Sequence, residues 1–341
     1  MTHASNKQVR LTSRPSGIPQ REHFEIVEAP VPEPDAGQVL IRNVFLSVEP
    51  AMRGWVSSEA NYAEPVPIGS VMRSFTVGRV VKSCHPDYQS GEFVTGLFGW
   101  QDYAVVDAMQ IERRISDTEI PVSTALGVLG LNGMTAYLAL LDIGQPRPGE
   151  TVLVSTAAGA VGSCVGQIAK IQGCRTVGLT SSADKMRLCR EVFGFDVAID
   201  YRADDLDSRI AQACPQGIDV YFDNTGGEIS DVVMRHLATG ARVVICGTAS
   251  VENWAEVPLG PRVERTLLVK RACMQGFVIF DHAPRFDEAR KALTGWIKTG
   301  QIRYREDVLD GIEHAPDAIA GLYRGENLGK RLIRIADPHW N

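Results

Sequence analysis

The chain has 341 residues, 44% of them hydrophobic and 22% charged, with 32 glycines and 18 prolines, the composition of an ordinary globular protein with room for two domains. A formal net charge of −6 argues against a general binder of nucleic acid or of an anionic membrane. The seven cysteines form no CxxC pair, six fall in expected core strands or helices, and MTHASNKQVRLTSRPSG at the start lacks the apolar core of a signal peptide, so a reduced, cytoplasmic protein is expected.

Residues 1–125 lack a strand–helix rhythm. They read as short strands, Phe24–Glu28, Gln38–Ser47, Thr76–Ser83, Glu92–Phe98 and Gln101–Val106, broken by turns such as the proline-rich run from Ala29 to Gly37. That predicts a mostly β, barrel-like domain. Residues 121–141 carry no charge and are long enough to span a bilayer. Pro121, Ser123, Thr124, Asn132 and Thr135 interrupt them, so a buried helical connector is expected instead.

From Leu126 onward the rhythm becomes strand–helix. Thr151–Ser155 is a short β-branched apolar run that suits a buried parallel strand. The turn Ala157-Ala158-Gly159-Ala160-Val161-Gly162 follows, with Gly166 one helical turn further on. Small residues let the backbone approach a pyrophosphate, and the helix N-terminus offers N–H groups to its charge. Arg175–Thr180 is the expected second strand, and its end is where an NAD site places an Asp or Glu on the ribose. Here Thr180, Ser181 and Ser182 stand there, with Lys185 and Arg187 behind. No carboxylate repels a 2′-phosphate and Lys185 supplies a cation for it, which favours NADPH, although Ser182 also reads as a plain helix cap with Lys185 solvated.

Val197–Asp200, Asp219–Asp223 and Arg242–Cys246 continue the strands, and Cys273–Phe280 reads as a sixth, followed by a helix near Pro284–Thr299. The tail offers a helix at Ala315–Arg324 and a strand at Gly329–Ile335. The alternation predicts a doubly wound α/β domain, whose ligands bind beyond the carboxyl ends of the strands. Tyr201, Asn224, Cys246 and Gly247 stand at those ends, although Asn224 with Gly226 and Gly227 also fits a simple turn, and Tyr201 an amphipathic surface ring.

At this point the chain resembles the medium-chain dehydrogenase/reductase superfamily, and within it the zinc-free prostaglandin and alkenal double-bond reductases. The resemblance rests on Leu46-Ser47-Val48-Glu49-Pro50-Ala51-Met52-Arg53-Gly54, on the run from Leu126 to Tyr137, on the Ala157–Gly162 turn, on Tyr221-Phe222-Asp223-Asn224-Thr225-Gly226-Gly227, and on Asn327-Leu328-Gly329-Lys330. It implies a GroES-like substrate domain built from residues 1–125 and 300–341, a Rossmann domain over 126–299 that binds NADPH, a cofactor cleft between them, and a homodimer. It implies cofactor contacts at Val161, Gly162, Lys185, Tyr201, Asn224, Cys246, Gly247, Phe277 and Asn327, to which the glycine turn adds Gly159 and the second strand Ser181.

The resemblance also implies the chemistry: hydride passes to the β-carbon of an α,β-unsaturated aldehyde or ketone, and the enolate is then protonated. Zinc-dependent relatives carry a Gly-His-Glu motif where Ile68–Ser74 holds no ligand type, so no metal is expected. Two tyrosines that line the family's substrate site are replaced, by Ala51 and by Glu252. The cofactor's own ribose hydroxyl, ordered water, Tyr62 or a protonated Glu252 are then the candidate donors to the substrate oxygen, although Tyr62 also reads as an exposed loop aromatic. Ala51, Met52, Trp55 and Trp254 are expected to line the substrate, the indoles hinting at a bulky or aromatic acceptor, with Ser250–Glu264 as a candidate lid. A quinone reductase of the same superfamily and a non-catalytic NADPH-binding redox sensor are the alternatives.

Overall fold

The computed structural model describes residues 5–59, 62–117, 119–251 and 258–338. Two compact units emerge, one made of Met1–Leu126 with Glu306–Asn341 and one of Gly127–Arg305.

In the first unit β1 (Ser5–Leu11) and β2 (Phe24–Pro30) form an antiparallel ribbon, with Ser5 opposite Pro30 and Leu11 opposite Phe24. β3 (Gln38–Ser47) leads into a short helix, α1 (Met52–Val56), and then β4 (Thr76–Ser83), β5 (Phe93–Gly96), β6 (Tyr103–Asp107) and β7 (Ile111–Ile115). β3 is the longest strand and pairs with both β4 and β6. Its run VLIRNVFLS is buried almost throughout, as a strand covered on both faces must be. Val9, Leu11, Met52, Trp55, Met72 and Trp100 pack in one core of this unit.

The second unit runs through α2 (Leu131–Ala139), β8 (Thr151–Val154), α3 (Ala160–Ile171), β9 (Arg175–Thr180), α4 (Ala183–Glu191), β10 (Val197–Asp200), α5 (Leu206–Ala213), β11 (Ile218–Asp223), α6 (Gly227–Val233), β12 (Leu237–Ile245), α7 (Glu264–Lys270), β13 (Cys273–Gly276) and α8 (Phe286–Lys298). Its sheet has the order β10-β9-β8-β11-β12-β13, every pair parallel. The winding reverses between β8 and β11, the switch point where an open α/β sheet binds its ligand. Leu153, Val177, Leu179, Tyr221 and Val243 fill the core on one face. At the opposite, amino end of the strands Arg242 clamps Glu150 with Nη1–Oε1 3.0 Å and Nη2–Oε2 2.5 Å, and donates from Nε to Gly144 O at 2.8 Å.

The chain then returns to the first unit. β14 (Glu306–Asp310), α9 (Ala315–Tyr323) and β15 (Lys330–Arg334) complete a seven-stranded sheet, whose path β14-β15-β3-β4-β5-β7 carries β6 beside β3, with β14 parallel to β15 and β15 antiparallel to β3.

Several expectations need correction. β1, β7 and β14 have too few apolar positions to be read as strands, their sequences SNKQVRL, IERRI and EDVLD being mostly polar. The sixth parallel strand stops at Gly276 instead of Phe280, because its neighbour β12 ends at Ile245, the register partner of Gly276. The uncharged stretch 121–141 divides into a 3-10 turn at Val122–Leu126 and α2, which continues as a π turn over Leu140–Gly144. Among the described residues no helix is long and apolar enough to cross a membrane. All seven cysteines are unpaired, four are buried, and Cys84 and Cys273 are exposed.

Candidate cofactor and substrate sites

The candidate cofactor residues of the second unit lie together along the carboxyl edge of its sheet. After β8, Thr156 adopts φ 51°, and Gly159 N donates to Thr156 O at 2.8 Å, closing a tight turn. Gly159 is the N-cap of α3 and brings no side-chain cap to it, so none of its first-turn N–H groups is covered by that residue. A Cβ on Gly162 would stand 2.4 Å from Thr156 O, and one on Gly166 2.0 Å from Phe195 Cζ. The first contact keeps the turn close to the helix, and the second lets the helix lie against the ring. A pyrophosphate fits a turn of this kind.

At the end of β9, Ser181 and Lys185 are 8% and 9% exposed, and Lys185 Nζ is 3.4 Å from Ser181 Oγ. Ser182 caps α4, its Oγ accepting from Lys185 N at 3.3 Å. The cap and the ammonium therefore coexist on one helical turn. Arg187 is turned away, paired to Asp184 at 2.5 Å on the exposed face. Tyr201, half-buried after β10, anchors its N–H on Thr180 O at 2.9 Å and packs against the core.

After β11 the sequence FDNTGG builds a polar hub that the sequence reading passed over. The buried Asp223 carboxylate accepts from Ser155 Oγ (3.2 Å), Thr225 N (2.8 Å), Thr225 Oγ1 (3.0 Å), Gly226 N (2.9 Å) and Ser230 Oγ (2.7 Å). Its main-chain oxygen accepts from Cys246 N at 2.8 Å and Gly247 N at 3.1 Å. Asn224 is fixed twice to the end of β8, through its N to Ser155 Oγ and its Nδ2 to Ser155 O, both 2.8 Å. Asp223 was visible only as a strand-terminal acid; its burial is what reveals the role. Burial, reinforced by Asp223, pushes the Cys246 thiol up to about 12, so it is neutral at ordinary pH and no nucleophile. Phe277 follows β13, donates its N–H to Ile245 O at 3.0 Å, and stacks on His282 at 4.6 Å.

The first unit holds the remaining candidates. Ala51 is half-buried at the start of α1, while Met52 and Trp55 are 0% and 2% exposed and belong to the core. Both side chains pack in the same cluster as Ala51. Tyr62 is 55% exposed, in a place accessible to a small molecule. Asn327 closes the loop before β15, its Nδ2 donating to Gly329 O at 2.7 Å. Glu252 and Trp254 lie outside the described residues. Among the described residues no three His, Cys, Asp or Glu gather as metal ligands.

Residues 7–113 match the family described as the N-terminal domain of oxidoreductase, and residues 160–295 the family described as zinc-binding dehydrogenase. The NADPH-dependent curcumin reductase of Escherichia coli is 47% identical over 97% of both chains. The chain belongs to the medium-chain dehydrogenase/reductases. Its branch is that of the alkenal and prostaglandin reductases. The NADP(+)-dependent 2-alkenal reductase of Nicotiana tabacum is 37% identical over 97% of this chain and 98% of that protein. Among solved structures, CurA from Vibrio vulnificus in complex with NADPH is 43% identical, with a TM-score of 0.92 over 97% of this chain and 100% of that one.

Proposed function

We propose that this reductase uses NADPH to reduce the carbon–carbon double bond of α,β-unsaturated aldehydes or ketones, with extended aryl enones, the class to which curcumin belongs, as its preferred acceptors. The observation that carries the reading is the buried Lys185 beside Ser181 at the end of β9, where an NAD enzyme keeps a carboxylate. The names of the relatives at 47% and 37% identity supply the reaction type. When bound, NADPH supplies the hydride that adds at the β-carbon.

The chain's own part is binding, orientation and charge. Gly159, Val161 and Gly162 receive the pyrophosphate, Ser181 and Lys185 the 2′-phosphate, and Tyr201, Asn224, Cys246, Gly247, Phe277 and Asn327 the remainder. Ala51, backed by Met52 and Trp55, and the 250–264 segment with Trp254 shape the acceptor site. Tyr62, exposed and carrying a hydroxyl, donates to the substrate oxygen as charge collects there, and Glu252 is the second candidate donor.

A homodimer completes the proposal. β13 pairs with β12 alone among the described strands, its four residues CMQG are exposed and uncharged, and Leu268 (76%) and Val269 (52%) stand exposed on α7 before it. An open edge of this kind is its own complement about a two-fold axis, so β13 of a second copy is the occupant. Light scattering on the purified chain checks it, and a monomer at micromolar concentration would reject it.

The deciding experiment follows NADPH and NADH oxidation against a 2-alkenal, an aryl enone, a cyclic enone and a quinone, with the product identified by mass. Saturated product from the enone or enal, with NADPH strongly preferred, is the expected result. Turnover of the quinone alone would move the chain to the quinone reductases, and tight NADPH binding without turnover would leave a redox sensor.

A further inference from the structure

Two of the motifs that carry the family resemblance meet inside the first unit. Lys330, the first residue of β15, is 5% exposed, and its Nζ donates to Val48 O at 3.0 Å and to Glu49 Oε1 at 3.2 Å. Glu49 is 8% exposed, and the same Oε1 accepts from Ser47 Oγ at 2.8 Å. Ser47 is itself fixed, its main-chain oxygen accepting from Ser74 Oγ at 2.8 Å and from Trp100 Nε1 at 3.2 Å. On the other side of β15, Glu306 is the register partner of Lys330, bonded to Ser123 Oγ at 2.8 Å.

A buried ion pair is a poor means of adding stability. Desolvation offsets most of the attraction, and well-packed apolar residues in its place are often neutral or stabilising. Burial pushes the Lys330 ammonium below its usual range, and Glu49 opposes that shift. What a charged pair adds is a single geometry, because each partner must find the other.

Two residues after Glu49 comes Ala51, at the start of the segment assigned to the acceptor, and three residues before Lys330 stands Asn327, assigned to the cofactor. The connections on both sides are short and bonded. Met52 N donates to Glu49 O at 3.1 Å, Tyr323 OH donates to Pro50 O at 3.1 Å, and Asn327 is tied to Gly329 O. We infer that Lys330 and Glu49 are positioning residues for the reductase reaction, holding the Ala51–Met52 turn and the Asn327 loop at one fixed separation. Neither touches a reacting atom; they act through Ala51, Met52 and Asn327, so the inference rests on the site assignment proposed above.

The test uses the full chain and three variants, Glu49→Leu/Lys330→Met together, Glu49→Asp, and Asn327→Ala. Each is measured for melting temperature, for the Kd of NADPH by fluorescence, and for kcat and KM with an aryl enone. The double variant removes both charges, so it should melt close to the parent, yet lose roughly 10- to 100-fold in kcat/KM, mostly in kcat, since a displacement near 1 Å costs about that much. Glu49→Asp keeps the charge and withdraws the carboxylate by one methylene; it should fold and show the same loss in smaller degree. A double variant with parental kcat and KM would make the pair merely structural. If the double variant does not fold, Glu49→Asp with parental kinetics overturns the inference on its own. Asn327→Ala separates the two layers. An unchanged NADPH Kd there would reject the site assignment, whereas a weakened Kd beside a kinetically silent pair would reject the positioning role alone.

Discussion

Replacing Lys185 by methionine isolates the element on which the cofactor assignment rests. The unbranched stem is kept, so packing on α4 is largely preserved, and the cap from Ser182 Oγ to the main-chain N of residue 185 survives because the side chain of residue 185 takes no part in it. Only the ammonium is lost. At 9% exposure beside a Ser181 that is 8% exposed, that charge is shielded from bulk water. A charge-assisted hydrogen bond in such a setting contributes about 1.5–3 kcal/mol. At about 1.4 kcal/mol per decade, the Kd of NADPH should rise roughly 10- to 100-fold. NADH has no 2′-phosphate, and its Kd should move by less than about twofold, well under one decade. Titration of both nucleotides by fluorescence, repeated at two salt concentrations, gives the ratio. The difference should respond only weakly to salt, because the pair is buried. A fall in affinity shared equally by both nucleotides, or no change in either, would refute the reasoning and leave Lys185 without a part in cofactor choice.

Other outcomes follow from the same geometry. Gly162→Ala forces a methyl to 2.4 Å from Thr156 O, a backbone atom that cannot step aside, and should cost about 1–3 kcal/mol of stability as well as NADPH affinity; thermal melts with and without NADPH measure both. Glu252→Tyr restores the family's residue and should raise kcat on simple enals, whereas a folded, NADPH-binding variant that gains on none of them would show that the departure does more than tune the substrate. Burial pushes the Glu150 carboxyl up, but the Arg242 guanidinium and the Arg147 N–H outweigh it, and its pKa lies below the ordinary 4.5. The folded form therefore holds the proton less tightly than the unfolded one, and this contribution is complete above about 4.5 and lost as the pH falls below it. Denaturant unfolding at stepped acid pH should show that loss, and Arg242→Met should flatten it.

The Rossmann half of the fold was legible because its signals are local. β9 and β10 read correctly to the residue, since each is a short run with apolar residues at its centre, and the glycine turn sits between a strand and a helix. The edges were not legible for the same reason. β14 is EDVLD, and only its parallel partner β15 makes it a strand, from a position in sequence with no local mark. In the cofactor site, residues at strand ends could be named from topology, but Asp223 could not, because a buried acid is known only by what surrounds it. The Lys330–Glu49 pair was hidden likewise: two charged letters in motifs far apart in the chain, each of which alone reads as solvated. On the acceptor side, the motif around Ala51 was recognised, yet which of its side chains face inward depends on the turn of α1, and that turn put Met52 and Trp55 in the core.

The return of the chain to its first unit has a consequence in time. β3 receives β15 along one edge, Ser47 opposite Leu332, and the whole contiguous second unit is synthesised between them. At roughly 5–20 residues per second, β3 waits on the order of tens of seconds for its partner while residues 127–305 are free to fold. Through that interval the nascent first unit carries an unpaired strand edge, the feature most prone to joining the wrong chain. Glu49 lies just beyond the waiting end of β3, and before Lys330 is made its carboxylate has no counter-charge to draw it inward.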